Sequence, residues 1–441
     1  MRSSSKTWNR GIATGVVGVL LLVLLAACAP ATAPTATPTK AAPAVSPSAA
    51  PKVEATKPAA QPASTPAAVA PKPTGAPIKI GYLTPLTGPV GPNGFLESAA
   101  IALAEEDIAK AGNINGNPIQ LIRYDSPFDP KQAVTLMRKL ALEDKAFAIL
   151  GPYSSGEMDV AAPLANELQI ATIGMKTSKP GFSEAYRPWE FRVTITDDLF
   201  TPAIIAAFKK AHPTVKKVVL VGDTKESVTE AMFKEVFPKF LKEAGYEIVG
   251  QIPYDSGTTD FSAIVTKIKS MNPEGIAFTA TPKGNPPGFA KELVAQQVKL
   301  PVMASHHFVP GNLVFQVGKE VEGWIAATYY DWTIPDPKVQ DLVKRWQVKA
   351  DADSNIPKPA QLTHEANSYD VVIMLADILR KANITAETPL QDARTKIRDG
   401  FAKLGPYTGL SGTTKGMQPN GDALFVPIPV IAKNGRWEVY K

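Results

Sequence analysis

From Ile78 onward the chain alternates short apolar runs with longer stretches of helical period. That alternation limits the fold more than any other feature. The runs are IKIGYL at 78–83, IQLIRY at 119–124, FAIL at 147–150 and IATIGM at 170–175. Each is the length of a strand and apolar enough to be buried on both faces. Between them lie helix-like stretches: 95–111 with Ala100, Ile101, Leu103, Ala104 and Ile108 on one side, a second opened by Asp129-Pro130, and a third running to Leu168. Asp129 reads as an N-cap and Pro130 as the first helical residue. Repeated β-α units with right-handed crossovers make one parallel sheet. WEFRVT at 189–194 reads as a strand leaving this lobe.

A second β-α series follows, with strands at 218–221, 247–252, 275–280 and 301–305 and helices such as 228–244 and 260–271. GWIAATYY at 323–330 reads as a strand returning to the first lobe, which the helices 337–350 and 366–381 complete. Two extended runs around Asn434-Gly435 give a hairpin signal. The predicted fold is therefore α/β and two-lobed, each lobe a parallel sheet flanked by helices, with a ligand cleft between them. Lobe 1 is assigned 78–196 plus 329–423, and lobe 2 is assigned 197–328 plus 424–441.

Residues 1–77 have a different character. A basic start (Arg2, Lys6, Arg10) precedes an apolar run from Gly11 to Leu25, too short for a permanent membrane span. The run ends Leu25-Ala26-Ala27-Cys28, which resembles the lipobox of bacterial lipoproteins. Cys28 is the single cysteine, so no intrachain disulfide or cysteine metal cluster can form. Residues 1–28 are thus expected to be a lipoprotein signal peptide, with Cys28 acylated and the protein held on a membrane. Residues 29–77 are almost entirely Ala, Pro, Thr, Ser and Lys without apolar period, which predicts a disordered tether. The net charge of +6 is mild and lies partly in the first ten residues, so it does not point to nucleic acid.

AFAILGPYSSG at 146–156 carries the strongest chemical signal. A buried strand breaks at Gly151-Pro152, and Tyr153, Ser154, Ser155 and Gly156 precede a helix. Free N–H groups, a helix dipole and two hydroxyls then converge at the carboxyl end of a parallel strand, where open α/β sheets bind ligands. That arrangement suits a carboxylate or another oxygen-rich group. The bland alternative is that Ser155 only caps the helix and Gly156 only permits the turn.

The segments IKIGYLTPLTGPVGPNG, INGNPIQLIRYDSPFDPKQAV and ILGPYSSG, with DFSAIVTKIKSMNPEGIAFTA in the second lobe, are similar to the branched-chain amino acid-binding proteins of ABC importers. The resemblance covers about Ile78 to Tyr440 and implies a type I periplasmic-binding fold. It implies that Ser154-Ser155-Gly156, joined by the loop Lys176-Thr177-Ser178, holds a ligand carboxylate, with Asn93 facing it from the first loop. An aromatic residue is common in the family where this chain has Ser227. An acid is common after the strand ending at 279–281, where this chain has Lys283 instead. Glu365 is either a replacement for that acid or an exposed helix-start residue. Lys176 either strengthens an anion site or points to solvent, the second being preferred. Tyr330, from the cluster Tyr329, Tyr330 and Trp332, is expected to form an apolar wall of the site.

Other motifs are weaker. The glycines 88, 91 and 94 do not make a dinucleotide fingerprint, and Pro89 and Pro92 remove N–H groups a phosphate would need. No G-x-S-x-G elbow exists. His306 and His307 follow the strand at 301–305. Neighbours on a strand point to opposite faces, so they are not expected to ligate a metal together, but His307 is a candidate for the cleft. The leading expectation is a monomeric, non-enzymatic receptor without cofactor or metal that delivers a small solute to ABC transporter permease subunits. A sensor of the same fold that signals to a membrane partner, and a lipoprotein enzyme, are the alternatives.

Overall fold

The computed structural model describes residues 73–441. The signal peptide, the acylation of Cys28 and most of the tether therefore lie outside the described residues. The last part of the expected tether is docked: the N–H groups of Thr74 and Gly75 donate to Gly116 O, and Asn117 Nδ2 donates to Ala76 O.

The first sheet has the strands β1 (Ile78–Thr84), β2 (Ile119–Asp125), β3 (Ala148–Leu150), β4 (Ala171–Gly174) and β5 (Glu190–Arg192), all parallel, in the order β2-β1-β3-β4-β5. Its crossovers include helices α1 (Gly91–Lys110), α2 (Pro130–Arg138) and α3 (Ser155–Glu167). The short helix α4 (Phe182–Ala185) precedes β5. Asp129 caps α2 by accepting from the N–H groups of Lys131 and Gln132, and Pro130 stands at the first helical position. Both come directly from the sequence pattern. β3 and β4 are buried along their whole length, which is why they read as unbroken apolar runs. The strand order reverses between β1 and β3. The crevice beyond the carboxyl ends of those two strands is where such a sheet receives a ligand.

The second sheet holds β6 (Lys217–Asp223), β7 (Glu247–Tyr254), β8 (Gly275–Thr279), β9 (Val302–Ala304) and β10 (Ile325–Thr328) in parallel. The small ribbon β11 (Tyr407–Thr408) and β12 (Thr413–Thr414) stands apart. The hairpin β13 (Ile428–Lys433) and β14 (Arg436–Val439) joins the second sheet antiparallel, in the order β14-β13-β10-β9-β8-β6-β7. This sheet is therefore mixed rather than parallel. The 323–330 strand is also not a return to the first lobe: β10 pairs with β9 and with four residues of β13, so the chain crosses back only after Thr328. Helices α5 (Asp197–Ala211) and α6 (Ser227–Ala231) belong beside this sheet. The expected 228–244 helix widens at Met232–Val236, where Phe237 N–H bonds five residues back to Met232 O, just before Pro238. The helices Pro337–Ala352 and Ala366–Lys381 pack on α1 of the first lobe. No helix among the described residues is long and apolar enough to cross a membrane.

Candidate functional site

The carboxyl ends of both sheets face one cleft. Residues following β1 and β3 line it from the first lobe: Asn93, Tyr153, Ser154 and Ser155, with Phe128 and Lys176 beside them. Residues following β6, β8 and β9 line it from the second: Glu226 and Val228, Thr281 and Pro282, His306 and His307. Tyr329 and His364 add to it from the segments crossing between lobes. The cavity measures about 430 Å³. The lobes are closed on each other, as hydrogen bonds cross from one to the other beside it.

The loop after β3 depends on Gly151, which has φ 92° and whose missing Cβ would stand 2.4 Å from Leu83 O. The helix cap is Ser154 rather than Ser155. Ser154 Oγ accepts from Glu157 N–H at 3.2 Å, and Glu157 Oε2 accepts from Ser154 N–H at 3.1 Å. This reciprocal box leaves Ser155, the first residue of α3, free of capping. Ser155 Oγ receives only a long bond, 3.4 Å, from Lys179 N–H.

Gly156 does not line the cavity, but its N–H decides the chemistry of this corner. It donates to Glu226 Oε1 across the cleft at 3.0 Å. A carboxylate from the opposite lobe thus sits at the amino end of α3, where the helix dipole favours negative charge. A Cβ at position 156 would itself lie 3.0 Å from Glu226 Oε1, so glycine permits this approach. Burial pushes the Glu226 carboxyl up to about 7; Gly156 N–H and Lys283 oppose the shift, and Glu157 and Asp223 add to it. Sequence reasoning picked Ser227, one residue too far. Ser227 Oγ instead bonds Asp159 of α3 and accepts from Lys179 Nζ at 2.8 Å, closing a second contact between lobes beside the cavity. The signal for Glu226 was an acid at the end of a β6 loop already suspected of facing the cleft.

The second anion loop is placed differently from expectation. Thr177 and Ser178 are fully buried and do not line the cavity. Ser178 Oγ donates to Asp197 Oδ2 at 3.1 Å and lies 3.1 Å from His307 Nε2. Lys176 does not reach solvent. It lines the cavity, its ammonium donates to His364 O at 2.5 Å, and it stands 5.5 Å from the Tyr329 ring centroid. Burial lowers its pKa, with Glu97 and Glu365 holding it up.

Glu365 is neither exposed nor in the cavity. It is 1% exposed and accepts from Thr363 N–H at 3.0 Å and Thr363 Oγ1 at 3.2 Å. Tyr330 does not line the cavity, whereas its neighbour Tyr329 does. Phe128 stacks on Tyr153 with centroids 5.8 Å apart, so the first lobe presents a flat aromatic wall to the site.

His306 and His307 lie on a 3₁₀ turn, His306–Phe308, not on a strand, and their rings approach to 3.9 Å. The opposite-faces argument therefore does not apply to them. Burial holds both far below the ordinary range, at about 3, so both imidazoles are neutral at physiological pH. His306 stacks on Phe200 at 4.0 Å, and its Nδ1 lies 3.2 Å from Asp197 Oδ1.

The sequence profile of the family described as Periplasmic binding protein matches residues 77–427. The chain belongs to the periplasmic binding protein family. Among curated relatives, this periplasmic binding protein is 27% identical over 317 residues to the leucine-, isoleucine-, valine-, threonine- and alanine-binding protein of Pseudomonas aeruginosa, covering 69% of this chain and 78% of the relative. Other curated relatives, such as an amino acid binding protein of the same organism, are matched over about half their length. Its fold superposes on a leucine-binding protein of Thermotoga maritima with a TM-score of 0.72 at 22% identity, covering 82% of this chain and 98% of the other. A solute-binding protein of an ABC transporter from R. palustris, solved with benzoate, gives 0.71 at 20% identity, covering 82% and 95%. Members of the family are solute-binding proteins, and the fold is what this chain has in common with its structural relatives.

Proposed function

We propose that this chain is an extracytoplasmic solute receptor that closes over a small carboxylate-bearing solute and delivers it to the permease subunits of an ABC importer, without chemical conversion. The observation that carries this reading is the Glu226 carboxylate seated on Gly156 N–H at the amino end of α3. The protein's own side chain marks a slot matched to a carboxylate in a desolvated cleft. A solute carboxylate would take that N–H and Ser155 Oγ in place of Glu226. Tyr153, Phe128 and Tyr329 would then flank its apolar part. Concave sites with apolar walls and few polar groups are typical for small molecules. The names of its relatives offer two solute classes, branched-chain amino acids and aromatic acids. The ammonium-holding acid of the resembled family is missing from the segment after β8, where this chain has Lys283, so an acid without an amino group is compatible with the site.

Mass spectrometry of solute released by denaturation, followed by calorimetric titration with leucine and with benzoate, separates the classes. Removing a hydrogen bond to a charged group costs about 1.5–3 kcal/mol. Ser155→Ala should therefore weaken binding of the identified solute by roughly one to two decades and leave the melting temperature of the solute-free protein unchanged. Unaltered affinity would move the anion site away from α3.

Membrane attachment is proposed through an acyl group on Cys28. Cys28→Ser should release the folded protein from membranes into the soluble fraction. Retention of that variant on membranes in high salt would rule out the lipid anchor.

A further inference from the structure

Beyond solute capture, we propose that Asp197, His306 and His307 form a binding site for a divalent transition-metal ion of the zinc, cobalt and nickel class. One ligand atom from each residue lies within 4.8 Å of the others. His306 Nδ1 is 3.2 Å from Asp197 Oδ1, Asp197 Oδ2 is 3.1 Å from Ser178 Oγ, and Ser178 Oγ is 3.1 Å from His307 Nε2. Ligands about 2.0–2.1 Å from a tetrahedral ion stand roughly 3.3 Å from one another. The Asp197–His306 separation is close to that edge length, and His307 stands within 4.8 Å of both.

The cluster is deeply buried and poorly satisfied. Asp197 is 0% and His306 2% exposed, yet Asp197 Oδ1 and His306 Nδ1 make no hydrogen bond of good geometry. An ion between them would satisfy both. Two neutral imidazoles and one carboxylate make an N₂O set, which suits a borderline ion better than calcium or magnesium.

The frame is rigid where it needs to be. Asp197 opens α5, and α5 packs on β9 and β10, while the histidines sit on the turn directly after β9. All three ligands therefore belong to one lobe and keep their spacing when the cleft opens. Ser178 is tied to the cluster through its backbone as well, since Asp197 N–H donates to Ser178 O at 2.9 Å, so its hydroxyl stands beside the three ligands. Of the neighbouring cations, Lys176 directs its ammonium at His364 O and is balanced by Glu97 and Glu365, while Arg192, which also acts on Asp197, is paired with Asp422. Both histidines also line the cavity, so the ion would sit in its wall.

The test uses the full chain without a histidine tag, stripped with a chelator and titrated with Co²⁺. One equivalent should bind, produce the visible absorption of a low-symmetry four- or five-coordinate ion, and be displaced by Zn²⁺. His307→Ala and Asp197→Asn should each weaken Co²⁺ binding roughly tenfold or more, and His212→Ala, outside the cluster, should leave it unchanged. A wild-type chain that shows no stoichiometric Co²⁺ binding overturns the site. So does wild-type affinity in His307→Ala or Asp197→Asn protein that melts normally. If either variant fails to fold, the wild-type stoichiometry and spectrum still decide. Solute titration of the metal-stripped protein is scored separately, so failure of this site and failure of the solute reading are distinguishable.

Discussion

Raising the pH from about 4.5 to 7 should open the cleft of the solute-free protein, and Glu226→Gln should abolish that response. In the closed form, burial pushes the Glu226 carboxyl up to about 7. Opening rehydrates it and returns it to the ordinary range near 4.5. Below that value Glu226 is protonated in both forms and the closed form carries no charge penalty. Through the window the open form has released its proton while the closed form still holds it, so each pH unit shifts the ratio toward open by up to tenfold. Over the whole window the closed form loses on the order of 3 kcal/mol, or roughly a hundredfold in population. Energy transfer between dyes on the two lobes would follow this directly. Asp197 and Glu365 are also raised by burial, so the informative quantity is the difference between wild type and Glu226→Gln. Equal pH profiles in the two proteins would refute the role given to Glu226.

Asp422→Ala should destabilise the protein by about 3–5 kcal/mol, which corresponds to a fall in Tm on the order of 5–10 °C for a chain of this size. The Arg192 side chain at the end of β5 is 0% exposed, and its guanidinium meets Asp422 through two bonds of 2.8 Å. Deleting the carboxylate leaves a buried cation with Glu190 and Asp197 as neighbouring acids, pushed up by burial to about 7 and about 6 with Arg192 pulling each down. Replacing both partners, as in Arg192→Met with Asp422→Leu, should recover most of the loss, because no unpaired charge then remains. A single variant as stable as wild type in thermal melts would show that Glu190 and Asp197 already suffice as partners.

The alternation of apolar runs and helical periods was enough to place most strands within one or two residues, and helix 366–381 was bounded correctly. Such patterns record which face of an element is buried, and a local window shows that. The side chains of the site were less legible. Ser227 in place of Glu226 and Tyr330 in place of Tyr329 are each one residue off: the loop was right, but the direction of a side chain at a strand end depends on the cap and the crossing that follow. Lys176 and Glu365 were expected near solvent or ligand, and each is buried beside an opposite charge supplied by a distant segment. Nothing within a few residues of either position encodes that partner. The opposite-faces rule for the histidine pair holds only for extended backbone, and a 3₁₀ turn of three residues directly after the strand is enough to bring the two rings together.

The Arg192–Asp422 pair spans 230 positions of the sequence. All five strands of the first sheet leave the ribosome before Thr194, but the acid that neutralises β5 follows much later. At about 5–20 residues per second, the interval is roughly 10–50 s. During that time the nascent sheet must hold a cation destined for burial with Glu190 and Asp197 as the acids near it, while the rest of the second lobe is being made. The stretch around Asp422 is thus a clasp applied late in synthesis, and a chain stalled before it would present β5 as an open, charged edge to chaperones and proteases.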